Sequence, residues 1–204
     1  VVYDDVPTAK TFPGHAVEGE IDGTIDMSGF SFMSRVPWEM VYDDDIYVGY
    51  RYYNTFEVPV SYEFGYGKSY TTFEYGNISL SATEFKNSVT VSVDVTNSGL
   101  VAGREVVQVY VGAPDGKLEK PEEELKAFGK TKMLRPGETE TLQFTFTAYN
   151  ISSFDAATSS WIVEPGTYTV KVGASSLDIK VSSDFKVVSE IVAETVNKAL
   201  APTE

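Results

Sequence analysis

Residues 105–111 read Glu-Val-Val-Gln-Val-Tyr-Val, residues 124–128 read Glu-Leu-Lys-Ala-Phe, and residues 163–173 read Val-Glu-Pro-Gly-Thr-Tyr-Thr-Val-Lys-Val-Gly. Apolar and polar residues alternate in these segments, and turn signals separate them, as is typical of antiparallel strands. Two of the signals are Pro-Gly pairs, at Pro136-Gly137 and Pro165-Gly166. Proline presets one turn angle and glycine supplies positive φ, so we interpret both pairs as structural turns and not as ligand loops.

The alternation continues on both sides of these segments. Valines at positions 89, 91, 93 and 95 alternate with polar residues, and Asn97-Ser98-Gly99 then ends the strand with residues that tolerate left-handed backbone angles. About seven strands are expected, the number typical of a mainly β, immunoglobulin-like sandwich of two sheets. The predicted strands lie within Phe73–Leu80, Val89–Val95, Val107–Val111, Leu125–Met133, Leu142–Phe146, Tyr168–Val172 and Leu177–Val181.

The two ends of the chain lack this regular alternation of apolar and polar residues. Residues 1–66 hold no regular period and carry turn signals such as Asp22-Gly23 and Ser28-Gly29, so we expect an extended arm that lies against another domain. The sandwich is expected over residues 67–188. Residues 189–204 are expected to form a linker or tail, for which a short helix starting at Ser189 is an equal alternative.

The composition excludes several kinds of binding partner and site. The 204 residues carry a net charge of −14, which would repel nucleic acid and anionic membranes and is permissive for neutral sugars. There is no cysteine, so disulfides and thiolate metal sites are excluded. The first residues carry no basic or apolar leader. The compartment stays open between the cytoplasm, which we slightly favour, and secretion.

No catalytic or metal-ligating residue can be nominated from the sequence. His15 is the single histidine, and the Asp43-Asp44-Asp45 run, with Asp4 and Asp5, lacks the spacing of a calcium loop. Cleavage of a glycoside needs two carboxylates about 5 to 10 Å apart. Many acids are available for such a pair, and none stands in a signature: Glu57, Glu63, Glu122, Glu123, Glu124 and Asp155. We expect no cofactor and no metal.

An aromatic segment precedes the sandwich. Residues 45–53 read Asp-Ile-Tyr-Val-Gly-Tyr-Arg-Tyr-Tyr, and residues 62–71 read Tyr-Glu-Phe-Gly-Tyr-Gly-Lys-Ser-Tyr-Thr. Aromatic faces can stack on sugar rings, and an arginine can bridge to hydroxyl groups or a carboxylate. Aromatic side chains also dominate the contacts between domains. We favour the second interpretation, in which these rings hold two domains together.

These residues carry a resemblance to a known family. Val48-Gly49-Tyr50-Arg51, followed by residues 64–71, resembles the join between the α/β sandwich domain of family 3 glycoside hydrolases and their fibronectin type III-like third domain. Residues 97–111 are similar to the centre of that third domain. Three positions depart from the family pattern and leave the particular sugar open. Asp45 stands where glycine is common, Asn54 where aspartate is common, and Lys68 where an apolar residue is common.

The resemblance implies part of a retaining β-glycosidase of the β-glucosidase or β-xylosidase type. In that family an aspartate nucleophile lies on a TIM-like barrel and a glutamate acid/base lies on the α/β sandwich, and neither motif is recognised here. The chain alone is therefore expected to be inactive and to brace the remaining catalytic domains, its implied partners, while they act on a glycoside or an oligo- or polysaccharide. The alternative is a stand-alone carbohydrate-binding or structural module.

Overall fold

A computed structural model describes residues 6–12, 14–16 and 38–197, which fall into two compact units, residues 1–48 and residues 49–204. The first unit contains a 3-10 helix, Pro7–Lys10, and an antiparallel pair formed by β1 (His15–Ala16) and β2 (Trp38–Glu39). Several sequence features lie outside the described residues: Asp4, Asp5, Asp22-Gly23, Ser28-Gly29, the last residues of the tail, and the side chain of His15.

The second unit contains the predicted sandwich. Its elements are α1 (Tyr50–Thr55), β3 (Phe73–Leu80), β4 (Ser88–Asn97), β5 (Val106–Gly112), β6 (Glu124–Lys130), β7 (Thr139–Thr147), α2 (Ala148–Ile151), β8 (Ser153–Asp155), β9 (Ser160–Val163), β10 (Gly166–Gly173), β11 (Ile179–Val187) and β12 (Ile191–Thr195). One sheet has the order β3-β4-β7, and a four-stranded sheet has the order β11-β10-β5-β6. These seven strands confirm the mainly β, two-sheet prediction.

The core lies between these two sheets. The valine side chains on one face of β4, β5 and β10 point into this core. Within it, Tyr168 stacks on Phe185 with ring centroids 5.4 Å apart. Because side chains alternate along a strand, the opposite face of β5 presents Gln108 and Tyr110 away from the core. That outer face of the four-stranded sheet positions the site described below.

A third sheet, with the order β12-β9-β8, was not predicted. Its tail strand runs over Ile191–Thr195, where a linker or a short helix was expected, and it pairs with β9 from Ile191 opposite Val163 to Thr195 opposite Ser160. The run Ile191-Val192-Ala193-Glu194-Thr195 is rich in β-branched residues, which favour a strand once a partner is available. No helix among the described residues is long and apolar enough to cross a bilayer.

The backbone angles of the turns can be compared with those that the sequence predicts. Gly137 and Gly166 have φ angles of 78° and 149°, which confirms the positive φ expected of both Pro-Gly pairs. Strand β4 ends at Asn97, as the sequence predicted, and none of the residues Asn97, Ser98 and Gly99 has a positive φ. The loop is held by the buried Asn97 side chain, which accepts hydrogen bonds from Thr71 Oγ1 at 2.7 Å and from the Gly99 amide at 3.0 Å.

Candidate functional site: the segment covering the four-stranded sheet

Residues 49–70, here called the covering segment, lie on the outer face of the four-stranded sheet. Helix α1 follows Gly49, whose φ of 61° suits glycine. The Tyr50 ring packs against Phe64 at a centroid distance of 5.0 Å and against Tyr110 of β5 at 5.8 Å. The Leu125 amide of β6 donates to the Tyr50 hydroxyl at 2.7 Å. One aromatic ring therefore links both parts of the covering segment to two strands.

The buried carboxylate of Glu123 fixes the end of α1. Asn54 Nδ2 donates to Glu123 Oε1 at 2.9 Å and to the Ser176 carbonyl at 3.2 Å. The Glu123 side chain is only 4% exposed, and Lys171 Nζ lies 2.9 Å from both its carboxylate and that of Glu122. Burial alone would lower the pKa of Lys171, but the hydrogen bonds to Glu122 and Glu123 outweigh it and raise that pKa. The lysine therefore stays charged and neutralises Glu123.

The glycine-bracketed turn around Gly65 is fastened in a second way. Ser175 Oγ donates to Glu63 Oε1 at 2.7 Å, and the Ser176 amide donates to the Phe64 carbonyl at 2.9 Å. Gly65 has a φ of 85°, and a Cβ there would lie 2.2 Å from Gln108 Nε2. Gln108 is itself held, since it donates to the Ala174 carbonyl at 2.7 Å. Only glycine fits at this close approach.

Burial beneath the segment also affects Tyr110. Its hydroxyl donates to Gln108 Oε1 at 2.5 Å, and its side chain is fully enclosed. Burial, reinforced by the neighbouring Tyr50 and by the charge of Glu123, raises the pKa of Tyr110. The hydroxyl is therefore a neutral hydrogen-bond donor and does not act as a base.

The acidic residues noted in the sequence have structural roles here. Glu124 pairs with Arg51 of α1 at 3.0 Å and with Lys126 at 2.8 Å. Asp155 pairs with Lys117 at 3.3 Å and accepts from the Ala157 amide at 3.0 Å. The contacts of Glu63, Glu122 and Glu123 are described above. Five of the six acidic residues noted in the sequence therefore bind a neighbouring side chain. The sixth, Glu57, is exposed. Within the described stretches no three His, Asp or Glu side chains form a group suited to a metal ion.

The covering segment presents aromatic rings to solvent. Tyr62 and Tyr66 pack on each other at 4.9 Å yet remain 70% and 46% exposed, and Tyr70 is fully exposed. Phe56 and Phe64 are about half exposed. We call these five residues the aromatic face. Exposed aromatic groups of this extent on a rigidly fastened segment are typical of a surface that another protein surface covers.

A second aromatic cluster lies on the β12-β9-β8 sheet. Trp161 has Tyr149 at 5.6 Å and Phe154 at 5.3 Å, with interplanar angles of 55° and 57°. Tyr149 is 53% exposed and Phe154 43% exposed. The rings are inclined to each other, so they form a faceted patch and not a flat platform.

Replacing Asn54 with aspartate is expected to lower the free energy of unfolding by about 2 kcal/mol, because a carboxylate would face the buried Glu123 and the Ser176 carbonyl without a donor. Urea unfolding followed by circular dichroism measures the loss. Asn77→Asp is the matched control, since Asn77 donates to Asp94 at 3.0 Å in an exposed setting. A loss no larger than that of the control would show that the Asn54 contacts do not fasten α1.

Three comparisons with known proteins agree on the family. Residues 105–176 match the fibronectin type III-like domain. The chain is 39% identical over 179 residues to β-glucosidase B of Emericella nidulans, covering 86% of this chain and 20% of the relative. It is 41% identical over 147 residues to β-glucosidase BoGH3A of Bacteroides ovatus, covering 71% of this chain and 20% of the relative.

Solved structures extend the likeness to three dimensions. β-Glucosidase 3B of Thermotoga neapolitana, solved in complex with α-D-glucose, is 44% identical with a TM-score of 0.77 over 93% of this chain and 23% of that protein. The GH3 β-glucosidase of Bifidobacterium adolescentis is 29% identical with a TM-score of 0.77, over 98% of this chain and 26% of that protein. The chain thus spans about a fifth to a quarter of the length of these relatives.

Proposed function

We propose that this chain, which belongs to glycoside hydrolase family 3 and carries the fibronectin type III-like domain, is a non-catalytic supporting part of a retaining β-glycosidase. In this role it braces the catalytic domains, a TIM-like barrel and an α/β sandwich, while they hydrolyse terminal β-linked sugars. Residues 1–66 would be the last portion of the α/β sandwich, residues 67–188 the supporting domain, and residues 189–204 a linker or tail.

The observation that carries the proposal is the construction of the covering segment. It is fastened from beneath by Tyr50, Asn54 and Gly65, while its aromatic face points to solvent. Each aromatic side chain can bury about 150 to 250 Å² when a partner covers it. A segment that is fastened before binding loses little conformational entropy on docking, and this lowers one of the costs of association.

The test is reconstitution. The chain is mixed with the catalytic portion of its parent enzyme, and hydrolysis of an aryl β-glucoside is followed while binding is measured by calorimetry. We expect the chain alone to be inactive, to bind the catalytic portion with a Kd in the micromolar range or below, and to raise its activity or its thermal midpoint. If the chain neither binds nor alters the catalytic portion, the supporting role is wrong.

A second candidate function is binding of carbohydrate by the chain itself, and the Tyr149–Trp161–Phe154 cluster favours it. Rings that are partly exposed can stack on pyranose faces, although the inclination of these three limits how many sugar units they can contact together. Titration with cello- and xylo-oligosaccharides, followed by tryptophan fluorescence, separates the two functions. A saturable change that Tyr149→Ala removes would support the second candidate over the first.

A further inference from the structure

A cleft of about 360 Å³ opens beside the covering segment. One wall is the turn around residues 65–69, including Tyr66 of the aromatic face and Lys68. The other walls come from the sandwich at Arg104, Lys130 and Asp178. Because Tyr66 belongs to both, the cleft adjoins the aromatic face, through which this chain would contact the catalytic domains.

The acidic side chains of the cleft are already engaged. Glu63 accepts from Ser175 Oγ at 2.7 Å, and Glu105 accepts from the Tyr75 hydroxyl at 2.9 Å. Asp178 pairs with Lys180 at 2.6 Å. Each carboxylate thus has a partner within the second unit, which is a lysine for Asp178 and a neutral hydroxyl group for Glu63 and Glu105.

The basic side chains of the cleft are not engaged. Lys68, Arg104 and Lys130 are exposed, and among the described residues none of the three forms an ion pair or a side-chain hydrogen bond. With Lys180 counted, four basic side chains stand against three carboxylates around this cleft, a formal charge of +1 in a chain whose net charge is −14. Because Lys68, Arg104 and Lys130 have no partner among the described residues, they are the groups of this cleft with which a carboxylate can pair.

We infer that this cleft receives an acidic segment, rich in Asp or Glu, from the catalytic domains of the same enzyme. The inference rests on the proposed supporting function and specifies the contact through which it acts. Aromatic rings of the covering segment would supply the apolar part of the interface, and Lys68, Arg104 and Lys130 would supply its charge complementarity. Arg104 can bind a carboxylate through two parallel hydrogen bonds, which fixes orientation as well as attraction.

The test reverses the charge of the cleft in the full chain. The variant Lys68→Glu/Arg104→Glu is titrated into the catalytic portion by calorimetry, beside the control Lys86→Glu/Lys186→Glu, which makes the same net charge change at two exposed lysines outside the cleft. Loss of two pairs and the added repulsion should weaken binding roughly 30-fold, and the control should change it little. Raising the salt concentration should weaken the wild type more than the cleft variant.

A footprinting measurement provides a second readout. Acetylation of surface amines, read by mass spectrometry, should fall severalfold at Lys68 and Lys130 in the complex and stay unchanged at Lys86 and Lys186. If the wild type binds but the cleft and control variants weaken equally, or if Lys68 and Lys130 keep their reactivity, the inference is overturned while the supporting role stands. If the wild type does not bind at all, both fail.

Discussion

Replacing Lys120 with methionine is expected to lower the free energy of unfolding by about 3 kcal/mol. The side chains of Lys120 and Glu164 form an ion pair in which they are only 9% and 6% exposed. Methionine fills a similar volume, so the loss comes from leaving the Glu164 carboxylate buried without its cation. Removing one member of a buried pair is more damaging than removing both, because the remaining charge still lacks the solvation it had in the unfolded chain.

The loop before β6 is built around this carboxylate. The Lys117 and Leu118 amides donate to Glu164 at 2.7 and 3.3 Å, and Lys120 Nζ also donates to the Pro114 carbonyl at 3.1 Å. A Cβ at Gly116 would lie 2.4 Å from Glu164 Oε1, so the backbone approaches the carboxylate too closely for any other residue. Loss of the ammonium group therefore loosens the loop as well as the pair.

The effect depends on pH in a defined direction. Burial alone would raise the pKa of Glu164, but the hydrogen bonds from Lys120 and from the Lys117 and Leu118 amides outweigh it and lower that pKa. A depressed folded-state pKa gives stability that is complete above the pKa of the unfolded chain, about 4.3 for glutamate, and that is lost as the pH falls through the folded value. The difference between wild type and Lys120→Met should therefore be largest near neutral pH and should narrow in acid.

Urea unfolding at several pH values measures both the loss and its pH dependence. Lys132→Met is the matched control, because Lys132 and its partner Glu138 are 56% and 36% exposed, and a smaller loss is expected. The double variant Lys120→Met/Glu164→Gln should recover part of the stability, since no buried charge remains. Equal losses for Lys120→Met and Lys132→Met, at every pH, would mean that the buried pair does not hold this loop.

The sandwich could be predicted because its signal is local. Along β4, Val89 to Val95 alternate with polar residues, and this period of two is enough to assign a strand and its buried face without knowing its partners. The positive φ angles of Gly137 and Gly166 were also predictable, because the Pro-Gly pair is a local turn signal. Strand β12 was harder, since five residues ending in Glu-Thr fit a strand or a helical stripe until β9 supplies a pairing edge.

The contacts of the site are long-range, and the sequence offers no local sign of them. Asn54 meets Glu123 across 69 positions and Ser176 across 122. Residue types alone left Glu123 among several interchangeable acids and did not single out Glu164. Only the fold shows that both are buried and which lysine pairs with each. The aromatic segment was the exception, because a cluster of Tyr and Phe with flanking glycines is unusual enough to be noticed before its position on the sheet is known.

Removing two rings of the aromatic face is expected to weaken binding to the catalytic portion roughly 100-fold, because the loss of an interface aromatic ring is taken here as about 1.4 kcal/mol, a factor of ten for each. The variant is Tyr66→Ala/Tyr70→Ala. Tyr70 is fully exposed, and the Tyr66 ring contacts Tyr62 within the aromatic face, so the fold of the chain should be retained. The free energy of unfolding should differ little from that of the wild type, whereas the Kd should rise steeply.

Calorimetric titration of the variant into the catalytic portion measures this change, and Tyr149→Ala serves as the matched control. Tyr149 is 53% exposed and comparable in chemistry, but it lies on α2 beside the third sheet and far in sequence from the covering segment. If Tyr149→Ala weakens binding while Tyr66→Ala/Tyr70→Ala does not, the catalytic domains dock on the third sheet. The aromatic face would then need another occupant, and the fastening of the covering segment would serve the stability of this chain and not its attachment to a larger enzyme.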